Sequence, residues 1–337
     1  MALARRNLAM DAKGISPMTV CVILPAFNEA LTIEACIADF HAHLPDAQIW
    51  VINNRSTDNT GSIAKAAMVR LGCAGGVIDE ARPGKGNAMR RAFMEIDVDV
   101  YLLADADTTY PASQAWQLIE PIISGAADLV VGDRHSAGNY ALENKRALHG
   151  FGNRLVRYLI NRLFNASLVD IMSGYRAMSR RFVKNYPILV PGFEIETDMT
   201  LHALDKRFRI IEIAVAYKDR PEGSFSKLST LSDGIRVLAT IGNILRYYRP
   251  LFFFGSAAIF IGLLGLLAGA PVIDDWIRHR YIYHVPSAVL AAGLEIIAIV
   301  LLAVGLILDS IAHQDKRIFE RGLLQQQLQD NERKSNG

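Results

Sequence analysis

Apolar and polar residues alternate in blocks along the first half of the chain. A short apolar run at 20–24 ends in Pro25-Ala26-Phe27-Asn28-Glu29. A helical pattern follows over 30–44, with Leu31, Ala35, Ala38 and His41 or Ala42 on one face. A second apolar run, 48–52, gives way to Asn53-Asn54-Arg55-Ser56-Thr57-Asp58-Asn59-Thr60, a polar turn suited to capping the helix predicted over 61–71. A third strand is predicted at 75–78, and Arg82-Pro83-Gly84-Lys85-Gly86-Asn87 then leads into a helix over 88–96. The next block, Tyr101-Leu102-Leu103-Ala104-Asp105-Ala106-Asp107, is a β-prone apolar run that ends in two carboxylates one residue apart. Strand–helix–strand alternation at this spacing predicts an α/β fold with a mainly parallel sheet. Ligands of such sheets sit beyond the carboxyl ends of the strands. The polar turns after Leu24, Ile52, Ile78 and Ala104 are therefore expected to gather at one edge.

The pattern changes in the second half. A strand at 128–131 runs into Gly132-Asp133-Arg134, and a long helical stretch follows over 142–164. In it Leu148, Phe151, Leu155, Leu159 and Leu163 recur at helical spacing beside Lys145, Arg146, Arg154, Arg157 and Arg162. Two readings stay open: a basic amphipathic helix on a membrane surface, or a helix packed on the sheet with a solvated basic side. Glu194, Glu196 and Asp198 precede an apolar helix through Leu204. Their alternation lets them share a face, while an acidic start is also what the helix macrodipole favours. A strand at 210–217 and an amphipathic helix at 231–248 come next, the latter reading as an interfacial lead-in to a bilayer.

Residues 251–273 carry no charge, and at about 23 residues they are long enough to span a membrane. A second span, 286–308, is broken only by Glu295, a side chain that is costly in lipid and is expected to face protein, water or a second copy of the chain. Arg246, Arg249, Lys316, Arg317 and Arg321 flank the outer ends of the pair. In the connecting loop Asp274 and Asp275 offset Arg278 and Arg280. The positive-inside rule then puts both termini and the catalytic part in the cytosol, on the inner (plasma) membrane. The expected organisation is a cytosolic α/β domain over 1–228, a juxtamembrane helix over 229–249, a two-helix hairpin over 250–308 and a polar tail over 309–337.

Composition adds boundaries. The 337 residues carry a formal net charge of only +2, which does not suggest a nucleic-acid partner. Hydrophobic residues make up 51% of the chain, an excess concentrated near the C-terminus. Cys21, Cys36 and Cys73 have no C-x-x-C spacing and read as reduced thiols rather than a disulfide framework or zinc site. Residues 1–19 have charges but no apolar core of signal-peptide length, so what precedes the spans is expected to stay cytosolic.

The chemistry centres on Asp105 and Asp107. Residues two apart on an extended chain point the same way, so both carboxylates can face one cation or one charged substrate. Hard divalent ions such as Mg²⁺ or Mn²⁺ favour oxygen ligands and are usually shared with substrate phosphates. The plain structural alternative is that Asp105 caps the next turn and Asp107 is solvated. Gly84-Lys85-Gly86 does not satisfy the P-loop pattern, yet a lysine between glycines at a helix start suits phosphate or sugar oxygens.

Pro25-Ala26-Phe27-Asn28-Glu29, Ser56-Thr57-Asp58, Gly84-Lys85-Gly86 and Asp105-Ala106-Asp107, in that order, resemble a family 2 glycosyltransferase with the GT-A fold. Val131-Gly132-Asp133-Arg134 and Ser173-Gly174-Tyr175-Arg176 narrow the likeness to the polyprenyl-phosphate glycosyltransferases, the dolichol-phosphate mannose synthase-like branch. The resemblance implies a metal-dependent, inverting transfer of a sugar from a nucleotide-sugar, UDP-linked by preference with GDP open, onto a polyprenyl phosphate such as undecaprenyl phosphate. It implies that Pro25, Glu29, Asn53 and Asp58 surround the nucleoside. Asp105 and Asp107 would hold Mg²⁺ or Mn²⁺ on the diphosphate, and Lys85 and Lys227 would contact the donor. Arg134 and Arg146, with Arg176 as a weaker third, would meet the acceptor phosphate. Glu196 would approach the donor sugar or the acceptor. Two departures stand out. Asn53-Asn54 stands where many members carry an aspartate facing the base, and Thr109 stands where the branch often has a metal-holding glutamine. Two other readings remain: a processive polysaccharide synthase of the same superfamily, whose Gln-x-x-Arg-Trp motif is absent from the sequence, and a non-catalytic membrane scaffold.

Overall fold

The structure is a computed structural model that describes residues 18–136, 147–192, 194–217 and 241–335. The chain divides into two compact units, Met1–Leu228 and Ser229–Gly337.

The first unit is built on a seven-stranded sheet. Its strands are β1 (Val20–Ala26), β2 (Gln48–Asn54), β3 (Gly75–Glu80), β4 (Val100–Leu103), β5 (Leu129–Asp133), β6 (Arg176–Ser179) and β7 (Ile210–Ala214). Their order across the sheet is β3-β2-β1-β4-β6-β5-β7. β1 pairs in parallel with β2 and β4, β2 with β3, and β5 with β7. β6 runs antiparallel to both of its neighbours, so the sheet is mixed. The helices are α1 (Ile33–His43), α2 (Thr60–Leu71), α3 (Lys85–Glu95), α4 (Ala115–Ile123), α5 (Ala147–Phe164), α6 (Arg180–Lys184) and α7 (Ile195–Asp205).

Period-two alternation along the central strands makes two buried faces. Val22, Leu24 and Ala26 of β1 and Val100 and Leu102 of β4 share one core with Ile33, Ile37 and Phe40 of α1 and Leu118 and Ile119 of α4. On the other face Tyr101 sets its ring edge-on to Phe93 of α3, with centroids 5.9 Å apart. β6 was not legible as a strand, because four residues are too few for an alternation to register. Its consequence is topological: a strand antiparallel to β4 begins where β4 ends. Leu103 pairs with Arg176, which brings the 173–176 segment to the carboxyl end of β4.

The second unit contains α8 (Pro250–His279) and α9 (Val285–Ser335), both long and apolar enough to cross a membrane. Glycines let the two backbones approach closely. A Cβ added at Gly265 would lie 2.7 Å from Glu295 Oε1, and one at Gly269 would lie 3.6 Å from Ala291 Cβ. The loop expected at 274–285 is largely helical. α8 continues to His279 with Arg278 Nε donating to Asp274 Oδ1 at 2.7 Å, and Asp275 accepts from the backbone N–H groups of Tyr283 and His284 at 2.8 and 3.0 Å. The tail expected after 308 continues α9 without a break. The expected helix at 231–248 falls partly outside the described residues; 241–248 are helical.

Candidate active site

The turns after β1 and β2 are stitched together. Asn28 adopts a left-handed φ of 57°, accepts the Thr57 N–H on Oδ1 at 2.7 Å, and donates its own N–H to Ser56 Oγ at 3.1 Å. The Glu29 N–H reaches Thr60 Oγ1 at 2.9 Å, and the Ala30 N–H reaches Asp58 Oδ2 at 3.2 Å. Burial would raise the Asp58 carboxyl, but hydrogen bonds from Thr60 and the Ala30 backbone outweigh it and hold the group below its usual value. Pro25 lies in the same strand end, opposite Ile52. Asn53 donates through Nδ2 to Asp79 Oδ1 at 2.8 Å, and its Oδ1 is buried without a hydrogen-bond partner among the described residues.

The second wall is the Arg82–Asn87 turn. Asn54, 6% exposed, accepts the Gly84 N–H at 2.8 Å and donates to the Arg82 carbonyl at 2.6 Å. Glu80 takes three donors from Arg82, and these hold its carboxyl down at about 2. Gly84, at φ 112°, and Gly86 press against the backbone of the 190–191 segment. An added Cβ would lie 2.1 Å from the Pro191 carbonyl oxygen and 2.0 Å from that of Val190, so only glycine fits at either place. Lys85, between them, is the first residue of α3.

Lys85 is where the site closes. Its Nζ lies 2.5 Å from Asp105 Oδ1 and 2.5 Å from Glu196 Oε1, and the Lys85 and Glu196 side chains are each only 8% exposed. Burial lowers an ammonium's pKa, but the two carboxylates overcome that and raise this one above the ordinary lysine value. Gly174 lies against the same pair. A Cβ there would be 2.8 Å from Asp105 Oδ2 and 3.1 Å from Lys85 Nζ. The Gly174 N–H donates to the Tyr110 hydroxyl at 3.0 Å, and the Tyr110 ring stacks on that of Tyr175 with centroids 5.0 Å apart. Asp107, 2% exposed, accepts from the Thr109 N–H at 3.2 Å and the Thr109 hydroxyl at 2.6 Å.

This donor set suits a hard divalent ion. Among the described residues no group of three metal-binding side chains converges. Two neighbouring carboxylates fit the way Mg²⁺ and related ions bind through one or two carboxylates together with substrate phosphates.

On the other side of β6, Arg134 follows β5. It donates to Asp170 through Nε at 2.7 Å, Nη2 at 2.9 Å and its backbone N–H at 3.2 Å. Burial would raise the Asp170 carboxyl, but Arg134 holds it below the ordinary aspartate range. The Arg134 guanidinium also lies over the Tyr217 ring, 5.6 Å from its centroid.

Arg176 calls for a correction. It is 0% exposed and donates to the carbonyls of Ser173 at 2.7 Å and Ile171 at 2.8 Å and to the Thr200 hydroxyl at 3.0 Å. A guanidinium enclosed in this way braces the turn that carries Gly174; it does not offer itself to an acceptor phosphate. Arg146 and Lys227 lie outside the described residues. On sequence grounds Asn54 and Gly174 are only parts of motifs, with no role of their own, and Asp170 is not singled out; all three touch the groups described above. Asp170 carries no local signal, because its partner Arg134 is far away in the chain.

Residues 21–186 match the model of the family described as glycosyl transferase family 2. The chain is 30% identical over 310 residues to Glycosyltransferase AglJ of Haloferax volcanii, an alignment covering 90% of this chain and 99% of that protein. It is 25% identical over 239 residues to the undecaprenyl-phosphate mannosyltransferase of Micrococcus luteus, covering 68% and 94%. Among solved structures it resembles glucosyl-3-phosphoglycerate synthase from Mycobacterium tuberculosis in complex with Mn²⁺, UDP and glucosyl-3-phosphoglycerate. That likeness has a TM-score of 0.51 at 23% identity and covers 68% of this chain and 79% of the other; it speaks to the GT-A fold.

Proposed function

The chain belongs to glycosyltransferase family 2, and we propose that it transfers a sugar from a nucleotide-sugar, UDP-linked by preference, to a polyprenyl phosphate held in a membrane. The observation that carries the proposal is the meeting of Asp105 and Lys85 at the carboxyl end of β4, in the same sheet as Arg134 at the end of β5. One group suits a sugar diphosphate and the other a second phosphate. The names of the relatives favour a polyprenyl phosphate as the acceptor.

In this reading an acceptor phosphate oxygen attacks the anomeric carbon while the bond from that carbon to the diphosphate breaks on the opposite face. The product is a polyprenyl-phosphate sugar of inverted configuration and a nucleoside diphosphate. An acceptor phosphate is already an anion near neutral pH, so it needs positioning and charge control more than a base. Asp105 and Asp107 would hold Mg²⁺ or Mn²⁺, with Thr109 steadying Asp107, and the ion would supply charge stabilisation to the leaving diphosphate. Lys85 and Lys227 bind the donor; Arg134 and Arg146 orient the acceptor, planar guanidinium groups suiting phosphate oxygens. Asn53 and Asp58 line the nucleoside side with Pro25 and Glu29. α8 and α9 cross the bilayer as a hairpin with both termini cytosolic, which tethers the enzyme to the membrane that holds the carrier.

The test uses purified full-length protein in detergent with undecaprenyl phosphate, Mg²⁺ or Mn²⁺ and a panel of UDP- and GDP-sugars, with products read by mass spectrometry. A lipid-phosphate sugar from one donor, lost in Asp107→Asn, is the expected result. No product from any donor while nucleoside diphosphate still binds would remove the proposed acceptor.

A further inference from the structure

We propose that Glu196 is a positioning residue for Lys85 and acts on the donor diphosphate only through that lysine. This rests on the donor reading given above. Glu196 lies in the first turn of α7 and Lys85 opens α3, two helices far apart in sequence that this ion pair joins. An ammonium has three N–H donors in a fixed tetrahedral array. Asp105 Oδ1 and Glu196 Oε1, each 2.5 Å from Nζ, engage two of them, so the direction of the third is set. Gly84 and Gly86 fix the other end of the side chain by pressing the backbone on either side of it against residues 190–191. A lysine stem normally has many rotamers to lose when it binds an anion. Here they are restricted beforehand, and Glu196 is the group that restricts them from outside the metal-binding pair.

The proposed chemistry does not call on Glu196 as a base. A phosphate acceptor brings no proton that must be removed before attack, so a general base at this place would have nothing to do. Glu196 Oε1 is committed to Lys85.

Titration calorimetry of the full-length protein in detergent with UDP, then with GDP, each in Mn²⁺, tests the idea on wild type, Lys85→Met, Glu196→Ala, Glu196→Gln and the Lys85→Met/Glu196→Ala double variant. Glu196→Ala should weaken binding about ten- to hundredfold, the worth of one charge-assisted hydrogen bond. The double variant should bind no more weakly than Lys85→Met alone, since the two residues act as one unit. Glu196→Gln keeps an oxygen that accepts from the ammonium, so it should stay within about threefold of wild type and keep the wild-type pH profile of kcat. Losses that multiply in the double variant overturn the proposal. So does a Glu196→Gln enzyme that binds normally while its kcat collapses, which is what loss of a proton acceptor would look like. Wild type that binds neither nucleotide overturns the donor reading itself and this role with it. Wild type that binds, with multiplying losses, overturns this role alone.

Discussion

Replacing Gly174 with alanine should cripple the site while leaving the fold in place. Gly174 has no positive φ, so its backbone accepts alanine without strain. The new methyl carbon would stand 2.8 Å from Asp105 Oδ2, about 0.6 Å inside ordinary contact, and 3.1 Å from Lys85 Nζ. Neither neighbour gives way freely. Lys85 is held by two ion pairs of 2.5 Å, and its side chain is 8% exposed. Asp105, at 29% exposure, is the looser of the two and should swing away, stretching or breaking its bond to Nζ. The loss of one charge-assisted hydrogen bond is about 1.5–3 kcal/mol, or about ten- to hundredfold in kcat/KM. The assay is steady-state glycolipid formation alongside a thermal melt. The matched control is Gly125→Ala, where φ is +70° and nothing lies within 4 Å of the added carbon. That change strains the backbone by about 1–2 kcal/mol and should lower Tm by a few degrees with kcat/KM intact. A Gly174→Ala enzyme with wild-type kcat/KM, or one that simply melts as Gly125→Ala does, would refute the reasoning.

The other predictions concern the surrounding groups. Glu80, held down at about 2 by Arg82, contributes stability that is complete above its unfolded value near 4.3 and is lost as pH falls towards 2; the Tm gap between wild type and Glu80→Gln should therefore be full at pH 7 and close across that window. Asn53→Asp puts a second carboxylate where the amide now donates to Asp79 at 2.8 Å, so UDP binding measured by calorimetry should fall at pH 8 and recover towards pH 5. Asp170→Asn weakens the fork that holds Arg134, and KM for the polyprenyl phosphate should rise by about tenfold while KM for the donor stays unchanged. A single cysteine at Tyr281, in the turn between α8 and α9, should be labelled by a membrane-impermeant reagent from outside intact cells; labelling only after lysis would reverse the proposed topology.

Much of the frame was readable because it obeys simple periods. The runs that became β1, β2 and β4 are apolar on both faces and end in polar turns, which is how strands buried between helix layers read. The Asp105, Lys85 and Arg134 motifs fell at strand ends or a helix start, where motif and element boundary reinforce each other. β6 escaped because it is too short to show a period. Arg176 was misplaced for the same reason: in the sequence it is an arginine after Gly174-Tyr175, and only the sheet shows that it points into the interior against Thr200. The link between Lys85 and Glu196 was out of reach too, since each residue was assigned a separate role and nothing in the spacing says that their helices meet.

The direction of β6 has a consequence for how the molecule tolerates variation. β5 and β6 are adjacent, with Val131 opposite Arg176, so the stretch 134–175 leaves the sheet after Asp133 and re-enters it close by. Between such close ends, a change of length costs little loop-closure entropy. The stretch carries Arg134, Arg146 and Asp170, the groups placed on the acceptor side, whereas Asp105, Lys85 and the nucleoside turns lie outside it. Under the proposed roles the acceptor side can vary within this stretch while the donor side stays fixed, except at Gly174, where the stretch packs against Asp105 and Lys85.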